Sequence, residues 1–220
     1  MQKFCYMINF KHYFESTGIR AESLVEGFSK IQSDRGTNMQ VALSPLDLDL
    51  GKNTKNITFL AQHVDNVGHG PYTGKISIES LMEKGISGSV LNHSENRVPE
   101  EQIMATVKRA ADLGFNITLC LENLAEIERY VELRPRYIAY EPKELIGGNI
   151  SVSTAKPDVI YNAAQLCGKS DVELLVGAGI KNSGDVEKSL SLGASGVLVA
   201  SGIVKAQDPF AALNSLMSIQ

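Results

Sequence analysis

Short, continuously apolar runs alternate along this chain with longer stretches whose apolar residues recur every three or four positions. The first kind predicts strands over residues 3–8, 39–43, 57–61, 89–91, 116–121, 136–140, 173–176 and 196–199. The second predicts helices over residues 16–33, 77–84, 99–113, 124–131, 155–167, 184–192 and 209–218. In the first helix, Ile19, Leu24, Val25, Phe28 and Ile31 fall on one face. Pro99 and Pro157 sit in the first turns of their helices, and Gly114 and Gly193 just past the ends of theirs. Strands that are apolar throughout, rather than alternating, belong in a parallel sheet covered on both faces.

Eight such units in 220 residues is the scale of a closed parallel (β/α)8 barrel. The alternative is an open, doubly wound sheet. No proline-rich, charged or low-complexity linker interrupts the pattern, so residues 1–220 are read as a single domain of the α/β class. At this length folding buries roughly 70% of the unfolded chain's surface, enough for a substantial core.

Composition narrows the functional classes. A net charge of −4 argues against nucleic acid, which is bound through a basic face. No run is long and apolar enough for a membrane-spanning helix, and the first residues read as a strand rather than a signal peptide. The three cysteines, Cys5, Cys120 and Cys167, lie far apart in apolar segments without a CxxC motif. That predicts reduced, buried thiols and a cytoplasmic setting. His63, His69 and Asp65 share a loop, but their spacing matches neither a helical metal motif nor a compact zinc site. No metal and no organic cofactor are expected. His12 is expected to be exposed.

The candidate chemistry gathers where strands end, which is where such barrels carry their active sites. Strand one ends in Asn9-Phe10-Lys11 and strand four in Asn92-His93-Ser94-Glu95. Strand six ends in Glu141-Pro142, followed by an apolar tip, Leu145-Ile146, and the pair Gly147-Gly148. The proline fixes its own φ and pushes Glu141 toward extended geometry, which suits a fixed base hinged to a mobile lid. Strand seven ends in Gly177-Ala178-Gly179, and strand eight in Ala200-Ser201-Gly202. Such small-residue turns expose backbone N–H groups to an anion. A carboxylate, a histidine, a lysine and anion nests together suit proton transfer next to a carbonyl on a phosphorylated small molecule.

These motifs resemble the triosephosphate isomerase family along nearly the whole chain, in its short archaeal-type branch. Asn9-Phe10-Lys11 resembles the family's Asn-x-Lys, and Gly70-Pro71-Tyr72-Thr73-Gly74 its third-loop Gly-x-x-Thr-Gly. Asn92-His93-Ser94-Glu95 resembles its Asn-His-Ser-Glu block. Ala139-Tyr140-Glu141-Pro142 followed by Ile146-Gly147 resembles its base and lid. The resemblance implies a (β/α)8 TIM barrel that interconverts glyceraldehyde 3-phosphate and dihydroxyacetone phosphate, in glycolysis and gluconeogenesis. A glutamate base, a neutral histidine and a loop that excludes water are this family's established arrangement.

Carried over by position, Glu141 would be the base, His93 the electrophile and Lys11 the cation facing the substrate. Asn9 would line the site, Glu95 would pair with Lys11, and Ser94 would hydrogen-bond nearby. The phosphate would take backbone N–H groups from Gly147, Gly179, Ala200 and Ser201. Lys143 and Gly147-Gly148-Asn149 stand where the family often has a second proline and Gly-Thr-Gly. The family also implies a homodimer or homotetramer, with the third loop, residues 63–75, bringing Thr73 close to a neighbour's Lys11 and Glu95. Two other classes are weighed beside it: a barrel acting on a larger sugar or indole phosphate, and a barrel without catalysis that serves as a binding partner. The latter predicts replacement of Glu141, His93 or Lys11, and all three are present.

Overall fold

The structure, a computed structural model, describes residues 3–148 and 150–219, with the side chain of residue 53 set aside. Asn149, one of the two residues that depart from the family's lid pattern after Gly147, therefore lies outside the described residues.

Eight parallel strands close into a barrel in sequence order. They are β1 (Cys5–Asn9), β2 (Asn38–Leu43), β3 (Thr58–Ala61), β4 (Gly88–Leu91), β5 (Asn116–Leu121), β6 (Tyr137–Tyr140), β7 (Glu173–Gly177) and β8 (Gly196–Val199). Closure is made by β1 and β8, with Cys5 opposite Gly196 and Ile8 opposite Val199. An open doubly wound sheet has free edges and is excluded by that pairing.

The helices are α1 (Ile19–Arg35), α2 (Ile78–Glu83), α3 (Glu100–Leu113), α4 (Leu124–Tyr130), α5 (Val152–Ala155), α6 (Pro157–Lys169), α7 (Ser183–Ser191), α8 (Ser201–Val204) and α9 (Pro209–Leu216). Two apolar layers hold them to the barrel. Cys5, Met7, Ala42, Leu60, Val90, Cys120, Ala139, Leu175 and Leu198 fill the barrel interior. Residues of the opposite strand faces, such as Ile8, Val41, Leu119 and Val197, pack outward against Phe28, Val107, Ile160 and Leu213 of the helices. With both faces buried, a strand has no polar face to alternate, which explains the continuous apolar runs.

The elements depart from the sequence pattern in four ways. The first helix begins at Ile19, not at residue 16: Phe14–Ser16 forms a separate 3-10 turn, and Gly18 at φ 58 lies outside helical geometry. Between β2 and β3 the crossover is a 3-10 segment, Leu48–Asn53. The four-residue helices α5 and α8 are too short to show a helical period in sequence. Lys156, before Pro157, has non-helical dihedrals and so delays the start of α6. Among the described residues no helix is long and apolar enough to cross a membrane.

Candidate active site

The ends of β1, β3, β4 and β6 turn polar side chains toward one mouth of the barrel. After β1, the Lys11 backbone N–H donates to Asn9 Oδ1 at 3.0 Å, and Lys11 takes φ 50. This Asx turn reverses the chain and places Lys11 beside Asn9 at the mouth. The Lys11 ammonium then pairs with Glu95 Oε1 at 2.7 Å. Gln62, just past β3, donates its amide to the carbonyls of Lys11 (3.0 Å) and Ala42 (3.2 Å). It ties the first loop to the barrel rim.

After β4, buried Asn92 takes φ 62. Its Nδ2 donates to the Cys120 carbonyl at 3.0 Å and its Oδ1 accepts from the Val98 N–H at 3.2 Å. That brace orients the next residue. His93 Nδ1 accepts the Glu95 backbone N–H at 3.1 Å. A nitrogen that accepts cannot also carry the proton, so neutral His93 holds its proton on Nε2. Nε2 lies 3.5 Å from Glu141 Oε2. Burial, and then the positive charge of Lys11, lower the His93 pKa to about 4, so the ring is neutral at physiological pH.

Glu141 continues the sheet ladder by donating its N–H to the Leu121 carbonyl at 2.9 Å. Its side chain is buried, and its Oε2 has no hydrogen-bond partner among the described residues. Burial raises its pKa to about 7, against the opposing pull of Lys11 and of a hydrogen bond with the Cys120 thiol. A buried, under-solvated carboxylate aimed at a neutral imidazole donor is an acid–base pair with separated roles.

A cavity at the mouth of the barrel surrounds this pair. Asn9, Lys11, His93 and Glu141 line it together with Ile146, Gly147, Gly179, Ala200 and Ser201. The sequence-predicted residues are thus brought together, with two placed outside the lining. Glu95 stands on the adjoining cleft beside Lys11, and Ser94, half-buried next to His93, makes no side-chain hydrogen bond among the described residues. Gly147, Gly179, Ala200 and Ser201 line the cavity, and among the described residues their backbone N–H groups donate to no backbone carbonyl.

The lid carries a 3-10 turn over Lys143–Leu145, and Gly147 lies at φ 71. Glu144 is tied to Lys156 at 2.8 Å. The lid's far end meets the loop after β7 closely. Val152 donates its N–H to the Ala178 carbonyl at 3.0 Å. A Cβ on Gly179 would sit 2.2 Å from the Ile150 carbonyl oxygen. In the third loop, Asp65 accepts from Lys75 Nζ (3.0 Å) and the Ile76 N–H (2.9 Å), with His63 Nε2 at 3.5 Å, while His69 is exposed. Asp65 therefore braces the loop. His12 is exposed, as expected.

Two residues of the site were missed by the sequence reading. Gln62 is one: a lone glutamine after a strand carries no motif. Gly177 is the other, since it was read only as part of an anion turn. A Cβ there would sit 2.6 Å from both Glu141 Cγ and Oε1. The glycine is the wall against which the carboxylate rests.

The family model described as Triosephosphate isomerase matches residues 4–217. A triosephosphate isomerase of Thermoplasma volcanium is 53% identical over 214 residues, 97% of this chain and 99% of its own. Proteins of that name from Cenarchaeum symbiosum and Archaeoglobus fulgidus are 42% and 41% identical, over 96% and 97% of this chain and 95% and 96% of theirs. The chain belongs to the triosephosphate isomerase family.

Proposed function

We propose that this protein interconverts D-glyceraldehyde 3-phosphate and dihydroxyacetone phosphate, the reaction of its family, with Glu141, His93 and Lys11 as its catalytic residues. The single observation that carries the reading is the 3.5 Å approach of His93 Nε2, which bears the proton, to the buried Glu141 carboxylate. Ionised Glu141 takes the proton from the substrate carbon next to the carbonyl. The His93 Nε2–H hydrogen-bonds the carbonyl oxygen as negative charge develops on it. Glu141 then returns the proton to the former carbonyl carbon, while the hydroxyl proton of the first carbon passes to the former carbonyl oxygen by way of His93 Nε2, leaving the new carbonyl. The high pKa of Glu141 makes it basic enough for a carbon-bound proton while leaving it ionised above pH 7.

Lys11 stabilises the negative charge of the enediolate, and Asn9 holds Lys11 in place. The phosphate takes the backbone N–H groups of Gly147, Gly179, Ala200 and Ser201. Because it binds away from the reacting carbons, it holds the lid shut and so keeps water from the enediolate. No cofactor enters this scheme.

The same reading includes one domain over the chain, a cytoplasmic setting and self-association as a homodimer or homotetramer. The closed sheet running from Cys5 to Val199 supports one domain. The three buried, free thiols support a reducing compartment. Self-association is supported by the open cleft beside Lys11 and Glu95 and by the exposed third loop carrying Thr73. A neighbour's Thr73 entering that cleft would complete the surroundings of Lys11.

A coupled isomerase assay on purified protein tests the catalytic reading. Glu141→Asp is expected to retain a small fraction of the wild-type rate and Glu141→Ala to fall to background. Wild-type protein at the level of Glu141→Ala would overturn it. Light scattering tests the oligomer: a monomer at assay concentration contradicts that part.

A further inference from the structure

Asn92 makes two side-chain hydrogen bonds where the chain leaves the barrel, and the catalytic scheme does not use it. β4 ends at Leu91, opposite Leu119 of β5, and Asn92 then turns left-handed at φ 62. Its backbone no longer follows the strand, and its side-chain amide reaches across to the Cys120 carbonyl at 3.0 Å. The same side chain closes the loop that follows, since Asn92 Oδ1 accepts the Val98 N–H at 3.2 Å. One partner is a carbonyl and the other an N–H, so the two together fix which way the amide faces. Inside the closed loop lie the bonds that set the imidazole. His93 Nδ1 accepts the Glu95 N–H at 3.1 Å, and the His93 carbonyl accepts the Asn96 N–H at 2.8 Å. On the other side, Cys120 meets the base: its thiol donates to the Glu141 carboxylate. Asn92 is only 1% exposed, so water does not compete for either of its bonds.

We propose that Asn92 is a positioning residue for both members of the proton-transfer pair: its amide holds the loop that carries His93 and the strand position that contacts Glu141 in one fixed relation. The inference rests on the reading of Glu141 and His93 as that pair. The two come from β4 and β6, with β5 between them. The Asn92 amide spans β4 to β5 and the Cys120 thiol spans β5 to β6. The 3.5 Å separation of His93 Nε2 and Glu141 Oε2 is thus braced through the intervening strand. Asparagine suits the position because it tolerates a left-handed backbone and carries a donor and an acceptor on one planar group. Misplacing such a pair by about an ångström costs on the order of 10²-fold in rate. The phosphate N–H groups lie on the lid and on the loops after β7 and β8, outside these bonds, so the loss falls on kcat rather than KM.

The test compares Asn92→Gly, Asn92→Asp and, at the opposite end of the barrel, Gln32→Ala, which removes the side chain that bonds Thr37 just before β2. Glycine accepts the left-handed backbone but makes neither bond, whereas aspartate keeps the acceptor for Val98 and lacks the amide donor. Steady-state kinetics give kcat and KM, thermal melts give the stability lost, and nitrogen NMR of the imidazole gives the His93 tautomer. Asn92→Gly is expected to lower kcat roughly ten- to a hundredfold with KM within about twofold of wild type. It is also expected to show a second His93 tautomer, protonated on Nδ1, beside the Nε2 form of the wild type. Asn92→Asp is expected to keep the Nε2 tautomer and to lose less in kcat, and Gln32→Ala to melt earlier with wild-type kcat. Wild-type kcat in either Asn92 variant, a wild-type ring spectrum in Asn92→Gly, or an equal loss of kcat in Gln32→Ala would overturn the inference. A wild-type protein without isomerase activity would overturn the catalytic reading instead, and the ring spectra would still decide the role of Asn92.

Discussion

Gly177 and Glu141 fit each other so closely that a single methyl group on the glycine would lie 2.6 Å from the glutamate's Cγ and Oε1. The contact crosses from the end of β6 to the end of β7, whose register pairs Tyr140 with Val176 one residue earlier. The absence of a side chain at 177 leaves the space that the carboxylate occupies opposite His93. Gly177→Ala must displace Glu141 or strain the strand, an overpacking change costing about 1–3 kcal/mol. Misplacing the base by an ångström is expected to lower kcat on the order of 10²-fold, with a smaller effect on KM. Steady-state kinetics and a thermal melt check both, and an alanine variant with wild-type kcat contradicts the packing argument.

Glu141 also sets a pH dependence. Its pKa is raised from 4.5 to about 7, and that of His93 is lowered to about 4. The active form has Glu141 ionised and His93 neutral, so kcat/KM of the free enzyme is expected to rise with pH and level off above about 7. A pH–rate profile measures this. An acid limb near 4.5 would mean that the carboxylate is not held in a dry site.

The raised pKa carries a stability consequence as well. Below pH 4.5 Glu141 is neutral in both folded and unfolded chains and adds no penalty. As pH rises to 7 the unfolded chain ionises first, so folding is progressively disfavoured, by on the order of 3 kcal/mol in the limit. Glu141→Gln is free of that penalty. It is therefore expected to be inactive yet more stable than wild type at pH 7, with the difference shrinking toward pH 4.5. Denaturant melts at the two pH values give the answer; a glutamine variant less stable at pH 7 contradicts it.

Two neighbours of Lys11 are expected to behave differently. Gln62→Ala removes the amide that clamps the Lys11 and Ala42 carbonyls, a loss of about 1–2 kcal/mol together with a raised KM. Glu95→Gln breaks an ion pair whose carboxylate is more than half exposed. Such pairs contribute about 0–1 kcal/mol, so little stability is lost. Its effect is read in KM at low salt. Equal thermal melts for the two variants would show that the Gln62 clamp is weaker than its geometry implies.

What the sequence discloses depends on how far apart the cause and the effect lie along it. β5 and β8 are recovered to the residue, because nothing but local hydrophobicity sets them. Lys11, His93 and Glu141 are legible because each follows its own strand directly, and the barrel then brings all three to one mouth. Gly177 and Gln62 act across neighbouring strands, on Glu141 and on Lys11, and no local pattern marks a glycine as a wall or a glutamine as a clamp. The start of α1 is hidden in the sequence because no local pattern marks the break at Gly18, whose backbone leaves helical geometry. The left-handed turns at Lys11 and Asn92 are likewise invisible in sequence, since each is set by hydrogen bonds of an asparagine side chain.

In the proposed reaction Glu141 moves a proton between adjacent carbons of a triose phosphate while His93 polarises the carbonyl. Proton NMR of the reaction of dihydroxyacetone phosphate in D2O tests it most directly. Wild-type protein is expected to yield glyceraldehyde 3-phosphate labelled largely with deuterium at C2, because a carboxyl proton on Glu141 exchanges with solvent. Glu141→Ala is expected to yield neither product nor label above background. Labelled product from Glu141→Ala at a rate near wild type would contradict the account.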